Sequence, residues 1–201
     1  MNYGETKTYL RALVNRTDLT DALAIQFLQQ AQDRLERMAR PSFLQRLVTF
    51  SLNGAGGDFR VPSDYLELID LFTDNGELQR VDVREWLRHD AGSGIPRVFI
   101  QTGHELRMRP FPSADTTIYL RYYGTEPELV TDEDENYWTI SSVDALVYAA
   151  AALAGDYFED ERLGQFEQRF QASLEAILAQ QWDEDFSGPM SVAPAYRLDQ
   201  D

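Results

Sequence analysis

Apolar residues recur every three to four positions at both ends of this chain and every second position through its middle. A helix buries one face when its apolar period is near 3.6, a strand when it is 2. A chain carrying both periods in the order helix, strand, helix reads as α+β. In the first stretch Ala24, Phe27, Leu28, Ala31, Leu35 and Met38 share one helical face. Thr20 is placed to cap that helix, and Arg34, Arg37 and Arg40 sit toward its C-terminal end, where cations suit the helix dipole. Pro41 stops it. The spacing predicts helices over 6–14 and 20–40. Near the other end Leu146, Val147, Ala150, Leu153, Ala154, Tyr157 and Phe158 predict a helix over 141–158. Leu163, Phe166, Phe170, Leu174, Ile177 and Leu178 predict another over 160–183. The joint between these two is short, which favours an antiparallel pair. Residues 149–152 are all Ala, leaving room for a neighbouring helix to come close, although Gly155 costs the helix about 1 kcal/mol.

The middle alternates. Val48, Phe50 and Leu52 face one way, and Leu47, Thr49 and Ser51 the other. The turn-rich run 53–58 and the apolar return at 59–61 predict a hairpin. Pro62 sets the chain direction and Asp64 is placed to cap the turn into a strand over 65–72. Asp82 begins a short helix through Arg88 that would bury Trp86 and Leu87. Strands over 97–101 and 105–109 flank Thr102-Gly103-His104, with Leu106 and Met108 on one face and Glu105, Arg107 and Arg109 on the wet one. Pro110 and Pro112 end that strand, and 116–123 alternates again. The expected architecture is an antiparallel β-rich lobe over 45–124, of about four to six short strands, inserted into a bundle of N- and C-terminal helices. An acidic linker over 126–135 rejoins the bundle. The helices and lobe would make one domain over 1–185, followed by an extended tail over 186–201.

Charge and composition narrow the function. Residues 1–124 carry 16 acidic and 15 basic side chains, whereas residues 125–201 carry 18 acidic and 3 basic. The basic set is 17 Arg and one Lys, Lys7. An acidic C-terminal part repels a phosphate backbone, which argues against ordinary nucleic-acid binding. With no cysteine, thiolate catalysis, disulfides and thiolate metal sites are excluded, and the chain can fold in a reducing cytosol. The N-terminal residues have neither the basic start nor the apolar run of a signal peptide, and no apolar stretch approaches the roughly 20 residues that cross a bilayer. The turn at Gly54-Ala55-Gly56-Gly57 lacks the Gly-Lys-Ser/Thr ending of a phosphate cradle and joins strands. His89 and His104 lack metal-motif spacing, and Asp132-Glu133-Asp134-Glu135 lacks the central glycine of a calcium loop. No catalytic residue, cofactor site or metal site is expected, and the chain reads as a non-enzyme.

Several strings, in order, resemble the phage head-tail connector adaptors, the head-completion or gateway proteins that form a ring beneath the portal. They are Arg34-Leu35-Glu36-Arg37-Met38-Ala39-Arg40, Phe59-Arg60-Val61-Pro62-Ser63-Asp64-Tyr65-Leu66 and Arg97-Val98-Phe99-Ile100. Glu105-Leu106-Arg107-Met108-Arg109-Pro110-Phe111-Pro112 and Ile118-Tyr119-Leu120-Arg121-Tyr122-Tyr123 follow. The resemblance spans nearly the whole chain. It implies a structural virion protein of the phage neck, made in the host cytoplasm and assembled as a homododecameric ring. The implied partners are its own copies, the portal protein and a downstream tail, nozzle or stopper protein; DNA passes through without specific binding, and no membrane is involved. The tail, with Phe186, Met190, Val192, Tyr196 and Leu198 spaced among Gly188, Pro189 and Pro194, is the expected portal-docking segment. Two other readings compete: a virion-associated cell-wall glycoside hydrolase using two carboxylates, and an acidic DNA-mimic binding module.

Overall fold

The computed structural model describes residues 1–52, 58–112 and 116–185, with side chains through residue 181. The fold is α+β, in two compact units: residues 1–42 with the chain from 129 onward, and residues 43–128. Helices from both ends of the chain build the first unit, and the strands between them build the second.

The helical unit contains α1 (Tyr3–Val14), α2 (Asp21–Met38), α4 (Tyr137–Ser141), α5 (Val143–Tyr157) and α6 (Leu163–Asp185). Helix α1 starts ahead of its apolar period because Asn2 and Glu5 form a capping box: the Asn2 carboxamide accepts from the Glu5 amide at 2.8 Å, and the Glu5 carboxylate from the Asn2 amide at 3.1 Å. Helix α2 is capped by Thr20, whose hydroxyl accepts from the Leu23 amide.

The middle of helix α5 is buried around nearly its whole circumference, while Asp144, Asp156 and Tyr157 near its ends are exposed. Ala145, Leu146, Val147, Ala149, Ala150, Ala151, Ala152, Ala154 and Gly155 are all enclosed, more than one face of a helix can account for. Helices α1, α2 and α6 pack along it, and α4 contacts it as well. Helix α6 runs antiparallel: Gly155 lies against Leu163, the Arg169 guanidinium donates to the Tyr148 hydroxyl, and the Ser173 hydroxyl donates to the Asp144 carboxylate. Helix α2 is antiparallel too, with Phe27 and Tyr157 rings in edge contact at 5.7 Å. The joint between α5 and α6 also ties down the end of α1. Arg162 donates to the carbonyls of Leu13 and Val14 at 3.3 and 2.6 Å while Asp160 holds its guanidinium from the other side at 2.8 Å. That contact, with backbone donation, holds the Asp160 carboxyl down at about 2.

Sequence spacing misses α4. A capping box between Asn136 and Thr139 starts it, and it buries Trp138 completely. The Trp138 indole donates to the Glu36 carboxylate at 3.2 Å, and the Asn136 carboxamide donates to Gln32 at 2.9 Å, so α2 carries polar partners for both.

The lobe contains two main sheets. One has the order β1 (Gln45–Leu52), β10 (Thr116–Gly124), β3 (Tyr65–Thr73), β4 (Gly76–Glu77), all antiparallel. The other has the order β2 (Asp58–Arg60), β8 (Glu105–Arg109), β7 (Val98–Thr102), β5 (Gln79–Arg80), antiparallel except for the β5–β7 edge. A short parallel pair joins β6 (Ser93–Gly94) to β9 (Phe111–Pro112). Inner faces of both main sheets meet in one core of Leu71, Ile118, Leu120 and Tyr122 from the first with Phe99, Leu106 and Met108 from the second.

Two local expectations are overturned. β1 and β2 do not form a hairpin: β1 pairs along its whole length with β10, and β2 joins β8 in the other sheet. The reason is burial. Val48 and Phe50 stand opposite Leu120 and Ile118 in one ladder, while Phe59 stands opposite Leu106 and meets Phe50 ring to ring at 4.7 Å. Asp64 does not cap its turn, which is closed by the Tyr65 amide on the Pro62 carbonyl. Its carboxylate instead accepts from the Tyr122 hydroxyl at 3.0 Å and pairs with Arg46 at 3.2 Å. Burial and this carboxylate together push the Tyr122 phenol up to about 12. Gly124 makes room for the cluster, because a Cβ there would lie 2.6 Å from Arg46 Nε and 2.8 Å from Asp64 Oδ2.

The enclosure of α5 predicts that Ala150→Leu is destabilising by about 1–3 kcal/mol or more, since its bulk has nowhere to go. Urea unfolding of the purified variant checks this; an unchanged midpoint would show that the helix has an open side.

Candidate assembly surface

The predicted portal-docking residues Phe186, Met190, Val192, Tyr196 and Leu198 lie outside the described residues. Elsewhere the candidates for recognition are exposed apolar groups bordered by charge.

In the lobe they include Val83 and Leu87 on α3 (Val83–Arg88), with Leu47 on β1 and Ile95 also exposed. Asp82 caps α3, its carboxylate accepting from the Glu85 amide at 2.9 Å. The expectation that Leu87 is buried fails: Trp86 is half-buried, and Leu87 and Val83 are exposed. One side chain decides this. The Arg109 guanidinium lies 3.6 Å from the Trp86 ring and donates to the carbonyls of Trp86 and His89, satisfying the C-terminal end of the helix. Trp86 therefore faces the sheet and its neighbours face out. His89 is a helix cap, and His104 sits exposed in the β7–β8 hairpin beside Gly103, which has the positive φ of +60° that favours glycine.

In the helical unit the acidic run 132–135, read from sequence as a solvated linker, is fastened to α1. The Tyr3 and Gly4 amides, left unpaired by the helix itself, donate to the carbonyls of Asp134 and Asp132 at 2.9 and 3.0 Å. Lys7, the chain's one lysine, is buried and reaches the Asp132 carboxylate at 2.5 Å. The Asp134 carboxylate accepts from the Thr131 hydroxyl and the Thr131 and Val130 amides, which holds its titration below the usual range. A shallow groove of about 730 Å³ runs beside this run, lined by Met1, Tyr9, Ala12 and Glu133 among others.

A glycosidase needs one carboxyl held protonated beside an ionised partner. Among the described residues, every carboxyl whose titration the fold displaces, Asp18, Asp134, Asp160 and Glu167, is displaced downward by hydrogen-bond donors. Nor is any group of three or more His, Asp or Glu among them disposed to hold a metal ion. The surface offers shape, apolar contact and charge.

Residues 1–193 match the family model described as SU10 adaptor protein. The chain belongs to this family. Its members are phage head-tail connector adaptors, structural components of the virion, and the match takes in all of the β-rich unit and the helical unit up to residue 193. No curated protein matches the sequence. The order of strings from Arg34 to Tyr123 was enough to point to this family, whereas the outward turn of α3 carries no signal in its own sequence: Trp86 and Leu87 are adjacent, and only Arg109, far along the chain, selects which of them is covered.

The adaptor's α3 should loosen when Arg109 is replaced by Met. Amides at the end of the helix are then expected to exchange with solvent about 5- to 30-fold faster, the equivalent of roughly 1–2 kcal/mol of local stability. Hydrogen exchange read by mass spectrometry checks this; unchanged protection would show that the helix is held by other contacts.

Proposed function

We propose that this adaptor assembles as a cyclic ring beneath the portal of a tailed-phage head and continues the channel through which DNA leaves. The family match over residues 1–193 carries the reading. The resemblance suggests a dodecamer, positioned at the neck between the portal and a downstream tail, nozzle or stopper protein.

Charge supports a passive channel. A duct for a polyanion has to let it slide, and 18 acidic against 3 basic side chains in residues 125–201 repel phosphates rather than trap them. Structural chemistry agrees with a scaffold: ion pairs such as Arg34–Glu167 at 2.6 Å and Arg121–Asp70 at 2.7 Å tie elements within a unit together. The residues 1–185 form the body in this reading, and the tail 186–201 docks on the portal in extended form. Phe186, Met190, Val192, Tyr196 and Leu198 then occupy separate pockets, and Pro189 and Pro194 reduce the ordering cost of binding.

Native mass measurement of the purified adaptor mixed with its cognate portal is expected to show a ring-sized complex. Absence of any complex at micromolar concentration would overturn the reading. Truncation after Asp185 is expected to abolish portal attachment while changing stability by no more than about 1 kcal/mol. Equal portal binding by the truncated and intact chains would remove the tail from the interface.

A further inference from the structure

Two patches of similar design and opposite charge lie on the two units. On α3, Val83 and Leu87 stand one turn apart and are more than half exposed. Arg84 and Arg88 form the adjoining row of the same helix. Ile95, also more than half exposed, leads toward β7. There the Arg97 amide donates to the carbonyl of Arg109, the residue whose guanidinium clamps α3. Arg84, Arg88 and Arg97 are exposed and form no ion pair with another described residue.

On the helical unit Val130, Tyr137 and Ile140 are more than half exposed, the last two one turn apart on α4. Glu133 and Glu135 lie between Val130 and Tyr137 in the chain, are exposed, and form no ion pair with a described residue. Lys7 neutralises Asp132 alone of this run.

An apolar centre with a charged rim is the anatomy of a protein interface. Neither patch suits its own copy, since like charges would then be juxtaposed at considerable cost. Each suits the other. Two different patches that complement one another on the same chain pair head to tail, the kind of contact that builds a ring when the rotation between copies closes. We infer that α3 and Ile95 of one copy receive the 130–140 segment of the next, with Arg84, Arg88 and Arg97 facing Glu133 and Glu135. This rests on the ring reading and names its contact surface. The occupant is a second copy because the acidic excess of this chain is concentrated in the part that the arginines would meet.

The test uses the full chain with its portal and reads ring formation by native mass measurement, with circular dichroism confirming that each variant is folded. Arg84→Glu with Arg88→Glu is expected to prevent ring formation, as is Glu133→Arg with Glu135→Arg. An equimolar mixture of the two double variants restores it, because the reversed patches pair with each other and the unaltered ones pair as before. A single chain carrying all four substitutions restores it too. Leu87→Ser, which leaves charge alone, raises the concentration needed for rings about tenfold. Rings from either double variant alone would overturn this contact, as would loss of rings that neither the mixture nor the fourfold variant recovers. A wild-type chain that makes no ring with the portal overturns the ring reading instead.

Discussion

Close packing around a helix whose centre, residues 149–152, is all Ala is the constraint from which the helical unit follows. Helix α5 packs against α1, α2 and α6, and its run of small residues lets neighbouring backbones approach it closely. Alanine gives that approach without the backbone entropy cost of glycine. The enclosing helices come from opposite ends of the chain, so the α5 surface is what joins N-terminal and C-terminal segments into one body.

Polar groups then fix the ends of these helices. Burial of Trp138 requires an acceptor for its indole, and Glu36 on α2 supplies it. The first-turn amides of α1 find acceptors in the acidic run, while Lys7 offsets one of its carboxylates. Arg162 does the same service at the other end of α1. Each contact satisfies a group that would be costly to leave unpaired, and each fixes one element's position along another. The lobe uses the same device around Arg46, Asp64 and Tyr122, made possible by the missing Cβ of Gly124.

These restraints matter for an assembly protein because recognition surfaces work best when they are already in place. In the proposed ring, ordering α3 or the 130–140 segment only on contact would subtract from the affinity between copies. Arg109 holds the first and Lys7 the second before any partner arrives.

Periodicity alone determined the α+β class, because apolar spacing of 3.6 or 2 residues can bury one face in only one kind of element. Thr20, Pro41 and the alternation through Ile118, Leu120 and Tyr122 were legible for the same reason: their effect is local. Charge asymmetry was likewise open to reading, being a property of composition. Strand partners were not. Nothing within residues 45–61 tells Phe50 to meet Phe59 across two sheets rather than along one hairpin, since local turn chemistry favours the hairpin and only the shared core rewards the alternative. The exposure of Leu87, the anchoring of the acidic run and the second partner of Asp64 belong to the same class. Each depends on a side chain distant in sequence, Arg109, Lys7 or Tyr122, and a contact of that kind exists only after the chain has folded.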